Sequence, residues 1–214
     1  MQNVFFYIVL ALNTAIGVWN CYAVGVSWKD VKTLGSGFDN FLMWSGIVQS
    51  TVAFSLPILL ILYNIAGFFM SHQSDPYLSI EDMDAMKHMM FSLWYVLVIF
   101  PVLGSGTAIW MHSLREAYMR RDFASIATAG WNTFAEISNI ISTINNLGGA
   151  LADAGDLFSI ALDSEGVKSK IAGVLIVCCI LSLLLGYVLA ISMVKYFAKQ
   201  SESRIEQYAQ SLRA

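Results

Sequence analysis

The chain has 214 residues, 57% of them hydrophobic and 13% charged, with a net charge of −3 and a mean hydropathy of +0.63. Soluble domains carry roughly 25% charged residues, so half that share describes a chain whose solvent is largely lipid. The small negative charge, with no basic cluster among aromatics, excludes a nucleic-acid partner.

The spacing of charges marks the spans. No Asp, Glu, Lys or Arg occurs in residues 1–28, 40–74, 88–114 or 171–194. Each stretch exceeds the roughly 20 residues that cross a bilayer core of about 30 Å. Transmembrane helices are expected near residues 4–27, 41–70, 88–112 and 171–195. The predicted fold is an all-α membrane protein with four transmembrane helices and a long helical insertion between spans three and four. Four crossings put both chain ends on one side.

Span one carries Cys21-Tyr22-Ala23, which resembles a signal-peptide cleavage site. It has no basic n-region, and Asn13 and Asn20 interrupt its apolar run, so it reads as a true span. Asn13, Gly17, Cys21 and Gly25 recur every four residues. Small residues at this spacing let helix backbones approach closely, and Asn can hydrogen-bond across the contact. Loop one, residues 28–40, is short and contains Leu34-Gly35-Ser36-Gly37.

Span two holds Ser45, Gln49, Thr51 and Ser55 ahead of Pro57. These side chains suit either a wetted groove, or hydroxyls covering carbonyls freed by the proline with Gln49 bonded to a neighbouring helix. Loop two, residues 71–87, ends in Ser79-Ile80-Glu81-Asp82, a helix start with acids in its first turn. Span three contains Pro101, Gly104 and Gly106, a candidate kink.

Loop three, residues 113–170, is expected to form an extramembrane helical unit. Phe123, Gly130, Ile137, Ile144 and Leu151 repeat every seven residues, with Ala127, Phe134 and Ile141 interleaved, so an apolar stripe runs along a helix from Asp122 to Leu147. This stripe is expected to be buried in the protomer or against a copy of it. The opposite face is Ser125, Thr128, Asn132, Asn139, Ser142 and Asn146, with Glu136 beside it. Neutral polar residues without a single Lys or Arg suit a surface buried against another protein, or a water-filled passage. Gly148-Gly149 is expected to end this helix, and a shorter piece over 150–162 follows. Span four repeats the small-residue spacing with Cys178, Ser182, Gly186 and Ala190. Residues 196–214 read as a polar C-terminal tail.

Chemistry-bearing patterns are few. The cysteines lie in the spans, and no disulfide is expected. His72 and His88 fall on one side of the membrane, where a metal or haem site is the alternative to two interfacial anchors. No carboxylate or cysteine completes a ligand spacing. No catalytic, cofactor-binding or metal-ligating residue is therefore assigned, and no enzymatic activity is expected.

Orientation rests on Lys and Arg near span ends. Loops one and three hold seven and the other side five, which leans to both termini outside. The expected location is a bacterial-type inner membrane, multi-pass. The leading functional reading is a non-catalytic structural subunit of a larger membrane complex, of a secretion, conjugation or virus-related kind. Its partners are the lipid bilayer and other subunits, in a homo- or hetero-oligomer. The alternative is a small oligomeric channel lined by polar uncharged helix faces.

Overall fold

The computed structural model describes residues 2–71, 80–163 and 166–211, and every element among them is a helix. These are α1 (Gln2–Leu34), α2 (Gly37–Ser71), α3 (Ile80–Arg120), α4 (Phe123–Leu162) and α5 (Val167–Ser211). Four of them, α1, α2, α3 and α5, are long and apolar enough to cross a membrane. Their lengths of 33 to 45 residues correspond to about 50 to 68 Å, so each projects past a hydrocarbon core of about 30 Å.

Helix therefore replaces much of what reads as loop. Loop one shrinks to Gly35 and Ser36, residues 113–120 finish α3, and residues 196–211 continue α5. The divisions expected at 112 and 195 fall inside helices. Short turns suffice because the caps are strong. Ser36 and Asp39 form a reciprocal box, with the Ser36 N–H donating to Asp39 Oδ2 at 2.8 Å and the Asp39 N–H to Ser36 Oγ at 3.3 Å. The hydrogen bonds from Ser36 hold the Asp39 carboxyl below its usual range. This cap supports α2 above the ordinary carboxylate range and weakens as pH falls through the lowered value.

The Gly148-Gly149 pair does not end α4, which runs as one helix of 40 residues. Two glycines cost a helix about 1 kcal/mol each. Beyond them Ala154 and Leu157 are buried with Met86, Met90 and Leu175 of α3 and α5, and that packing carries the helix onward. Asp122 caps its start by accepting the Ser125 N–H at 2.8 Å. Arg121, at φ 54, makes the reversal from α3.

Contacts fix the direction of each helix. Gly17 of α1 lies against Ala53 and Phe54, and Gly46 against Val24, so α1 and α2 are antiparallel. Trp94 Nε1 donates to Ser55 Oγ at 3.0 Å, and Gln49 Nε2 to Val102 O at 3.1 Å, so α2 and α3 are antiparallel too. The pairs Lys168–Asp82 and Cys179–Met90 make α5 parallel to α3. Cys21–Ala190 and Lys29–Glu202 make it parallel to α1. The start of α1 and the end of α5 thus lie at opposite ends of the bundle, which corrects the expectation of a shared end. Parallel α3 and α5 require the chain between them to return the full length of the bundle, and α4 does so.

Two cores result. Cys21, Val24, Ile47, Phe54, Ala190 and Val194 join α1, α2 and α5. Leu59, Met90, Leu157, Leu175 and Cys179 belong to a second core that includes α3 and α4. The small-residue stripes occupy these seams. Gly17, Cys21, Gly25, Cys178, Ser182, Gly186 and Ala190 are buried, and Asn13 is half-buried.

Candidate functional site

The rotation of α4 about its axis defines the site. Its buried side chains are Ala129, Glu136, Thr143, Ala150, Ala154 and Leu157. The apolar stripe points the other way, which corrects the first of the two places expected for it: the protomer does not bury it. Phe134 is 65% exposed and Ile144 76%, and Phe123, Ile137 and Ile141 are exposed with them. The physical reason is hydrogen bonding: the inward edge carries the polar groups that α3 can partner, at Thr133 and Glu136.

The edge of α4 beside the polar face meets α3 of the same chain along a seam: Thr128 and Asn146 stay exposed, and the hydrogen bonds to α3 are made at Thr133, Glu136 and Asp153. Trp110 Nε1 donates to Thr133 Oγ1 at 2.8 Å, and Thr107 Oγ1 donates to Glu136 Oε1 at 2.7 Å. Toward the other end, Ser92 Oγ donates to Asp153 Oδ2 at 2.8 Å, with His88 Nδ1 3.1 Å from the same oxygen. These contacts cover α3 from residue 88 to residue 110, about 33 Å of axis. Glu136, 3% exposed, is the only buried acid among the described residues. Its Oε2 lies against Gly106, where any Cβ would collide with it, and Gln49 Nε2 is the next group there. Gly106 is glycine because the carboxyl occupies the space of a side chain.

Clefts flank the buried carboxyl on either side. One, of about 300 Å³, is lined by Ser125, Thr128, Asn132, His112 and Glu116, among others. The other, of about 420 Å³, is lined by His88, Ser92, Tyr95, Asn146 and Asp153 among others. Among the described residues the buried Tyr95 hydroxyl has no hydrogen-bond partner, nor has His112 Nδ1. Of the remaining polar residues singled out on α4, Asn139 and Ser142 are half-buried.

No family model, curated protein or solved structure matches this chain. The reading of the seam therefore rests on its own chemistry.

The span-two side chains serve local bonding. Gln49 reaches α3 through Val102 O and Ser105 Oγ, the latter at 2.8 Å. The hydroxyls of Ser45, Thr51 and Ser55 bond carbonyls of their own preceding turn, at Phe41, Ile47 and Val52. Pro57 and Pro101 both sit inside continuous helices. His72 lies outside the described residues, while His88 faces Asp153.

Sequence reasoning set Glu136 beside the polar face without giving it a role and passed over Asp153, because an acid on a helix read as extramembrane is unremarkable. The signal available was Gly106 and Thr107 in span three, a gap and a donor awaiting a partner.

Proposed function

We propose that this chain is a non-catalytic structural subunit of a larger membrane complex, of a secretion, conjugation or virus-related kind, in a bacterial-type inner membrane. In this reading α4 is a fifth crossing. With α4 across the membrane, Lys29, Lys32, Arg115, Arg120, Arg121, Lys195, Lys199 and Arg204 share one end of the bundle. Only Lys87, Lys168 and Lys170 of the described residues fall at the other. The positive-inside rule then puts the first end in the cytoplasm and the start of α1 outside.

One observation carries the subunit reading. Gly148, Ala152, Gly155 and Ser159 form a small-residue stripe on the exposed face of α4. A Cβ at Gly148 or Gly155 would meet nothing within 4 Å, whereas one at Gly17, Gly25 or Gly186 would collide with a neighbouring helix. The same device that joins helices within the protomer is left unfilled on its outer edge, suiting a helix of another subunit. Gly148→Leu with Gly155→Leu should leave the protomer folded, with unchanged helical content and detergent melting. Native mass measurement after mild extraction should show loss of the larger complex. A double mutant that still co-extracts at full size would end the subunit reading.

The channel alternative is supported by the two clefts joined by a polar seam. It predicts ion flux through liposomes carrying the purified protein alone, and impermeable liposomes would remove it.

A further inference from the structure

Glu136 stands apart from every other charged group. A carboxylate removed from water needs an opposite charge, or else it takes up a proton. Among the described residues Glu136 makes no ion pair, and its hydrogen bond comes from a neutral hydroxyl, Thr107. The groups facing it are uncharged on each element packed there: Thr107 and Gly106 from α3, and Gln49 from α2. Along α4, Asn132 and Asn139 flank it, and the nearest acids, Asp122 and Asp153, are about 21 and 26 Å away along the axis. On α3, His112, Arg115 and Glu116 lie about 8 to 14 Å beyond Thr107, toward the helix end. On α2, Asp39 is about 15 Å beyond Gln49. Helix α5 packs against the other half of α4, at Ala154 and Leu157. Position adds to isolation. Thr107 lies near one end of span three, still within the stretch free of Asp, Glu, Lys and Arg, so Glu136 sits within the hydrocarbon layer if α4 crosses it.

We infer that Glu136 is an intramembrane proton-binding site, a carboxylic acid held between α3 and α4 that exchanges its proton through the polar seam. The inference rests on the reading of α4 as a membrane crossing. Oε1 of Glu136 accepts the Thr107 hydrogen bond, while Oε2 fills the gap at Gly106, where the nearby Gln49 amide already donates to Val102 O and Ser105 Oγ. Asn132 and Asn139, about one turn to either side, are half-buried polar side chains, and Asn132 lines the smaller of the two clefts. Proton loss would leave an uncompensated charge in the seam, so protonation and α3–α4 packing are coupled.

The test uses full-length protein in liposomes and a lipid-soluble carbodiimide, dicyclohexylcarbodiimide. This reagent takes the acid's proton onto nitrogen, the carboxylate oxygen adds to the central carbon, and rearrangement gives a stable N-acylurea. The adduct should map by peptide mass spectrometry to Glu136 and weaken as pH is raised. E136Q should lose it while keeping the helical circular-dichroism signal and elution volume of the unaltered protein. A water-soluble carbodiimide with an added amine should modify Asp30 and Glu116 but leave Glu136 untouched. Absence of the lipid-soluble adduct, or reaction of Glu136 with the water-soluble reagent, would overturn the site. Protection by sodium at constant pH would also overturn it, by assigning a metal cation in place of the proton. Cysteine labelling of the helix connections, described below, tests the crossing of α4 separately, so failure of the site is distinguishable from failure of the topology.

Discussion

Gly186→Leu separates α5 from α2. A Cβ alone at this position would stand 2.7 Å from Thr51 O and 3.1 Å from the Ser55 N, both backbone atoms that cannot move without moving α2. Overpacking of this kind costs typically 1–3 kcal/mol in soluble cores. The expected loss is at the upper end, because the obstructing atoms belong to a helix backbone. Leu184, two residues away, is 56% exposed, and Leu184→Ile keeps its volume, so the change is expected to be nearly silent. Expression level and thermal melting in detergent compare the two. Equal tolerance would mean that α2 and α5 do not meet as described.

The second large effect is all-or-none. Lys32, Arg120 and Asp163 are exposed at helix ends, the first two at one end of the bundle and the third at the other. In a background with Cys21, Cys178 and Cys179 changed to alanine, each is replaced singly by cysteine. The variants are then treated with a membrane-impermeant maleimide on right-side-out and inverted vesicles. Lys32→Cys and Arg120→Cys should react in inverted vesicles, and Asp163→Cys only in right-side-out ones. A protein whose α4 lay wholly outside the membrane would show all three reacting from the same face. That pattern would remove the fifth crossing, and with it the setting proposed for Glu136.

The parts of the fold that are legible in the sequence are those written in hydropathy. The four apolar spans appear as stretches free of charge, and the stripes at Gly17, Cys21 and Gly25, and at Ser182, Gly186 and Ala190, announce close helix approach. The helix of loop three is also legible as a periodic segment. Its surroundings are not. A seven-residue apolar repeat says which side chains share a face, but whether that face turns inward or outward depends on the solvent. Reading α4 as a helix in water sends Phe134, Ile137 and Ile144 to the interior. In the proposed crossing, lipid reverses the choice: Glu136 and Thr143 are buried and Asp153 is half-buried. The glycines at 148 and 149 mislead for a related reason. Glycine ends a helix where nothing beyond it holds the chain, and here Ala150, Ala154 and Leu157 are buried just past the pair.

The reversal at Arg121 has a consequence for how the protein is made. Arg121 N–H donates to Ala117 O at 3.1 Å, and Asp122 already caps the next helix, so α3 and α4 are joined by almost no free chain. Presented alone to the translocation machinery, α4 is a poor candidate for release into lipid. An acid near the centre of a crossing helix costs about 2.5–3.5 kcal/mol on the insertion scale, and α4 adds several asparagines to its acids. Beside α3 those same groups find Thr107, Trp110 and Ser92. If α4 crosses as proposed, the tight turn keeps it within reach of α3 as it emerges from the ribosome, and the two are expected to partition into the bilayer together as a helical hairpin.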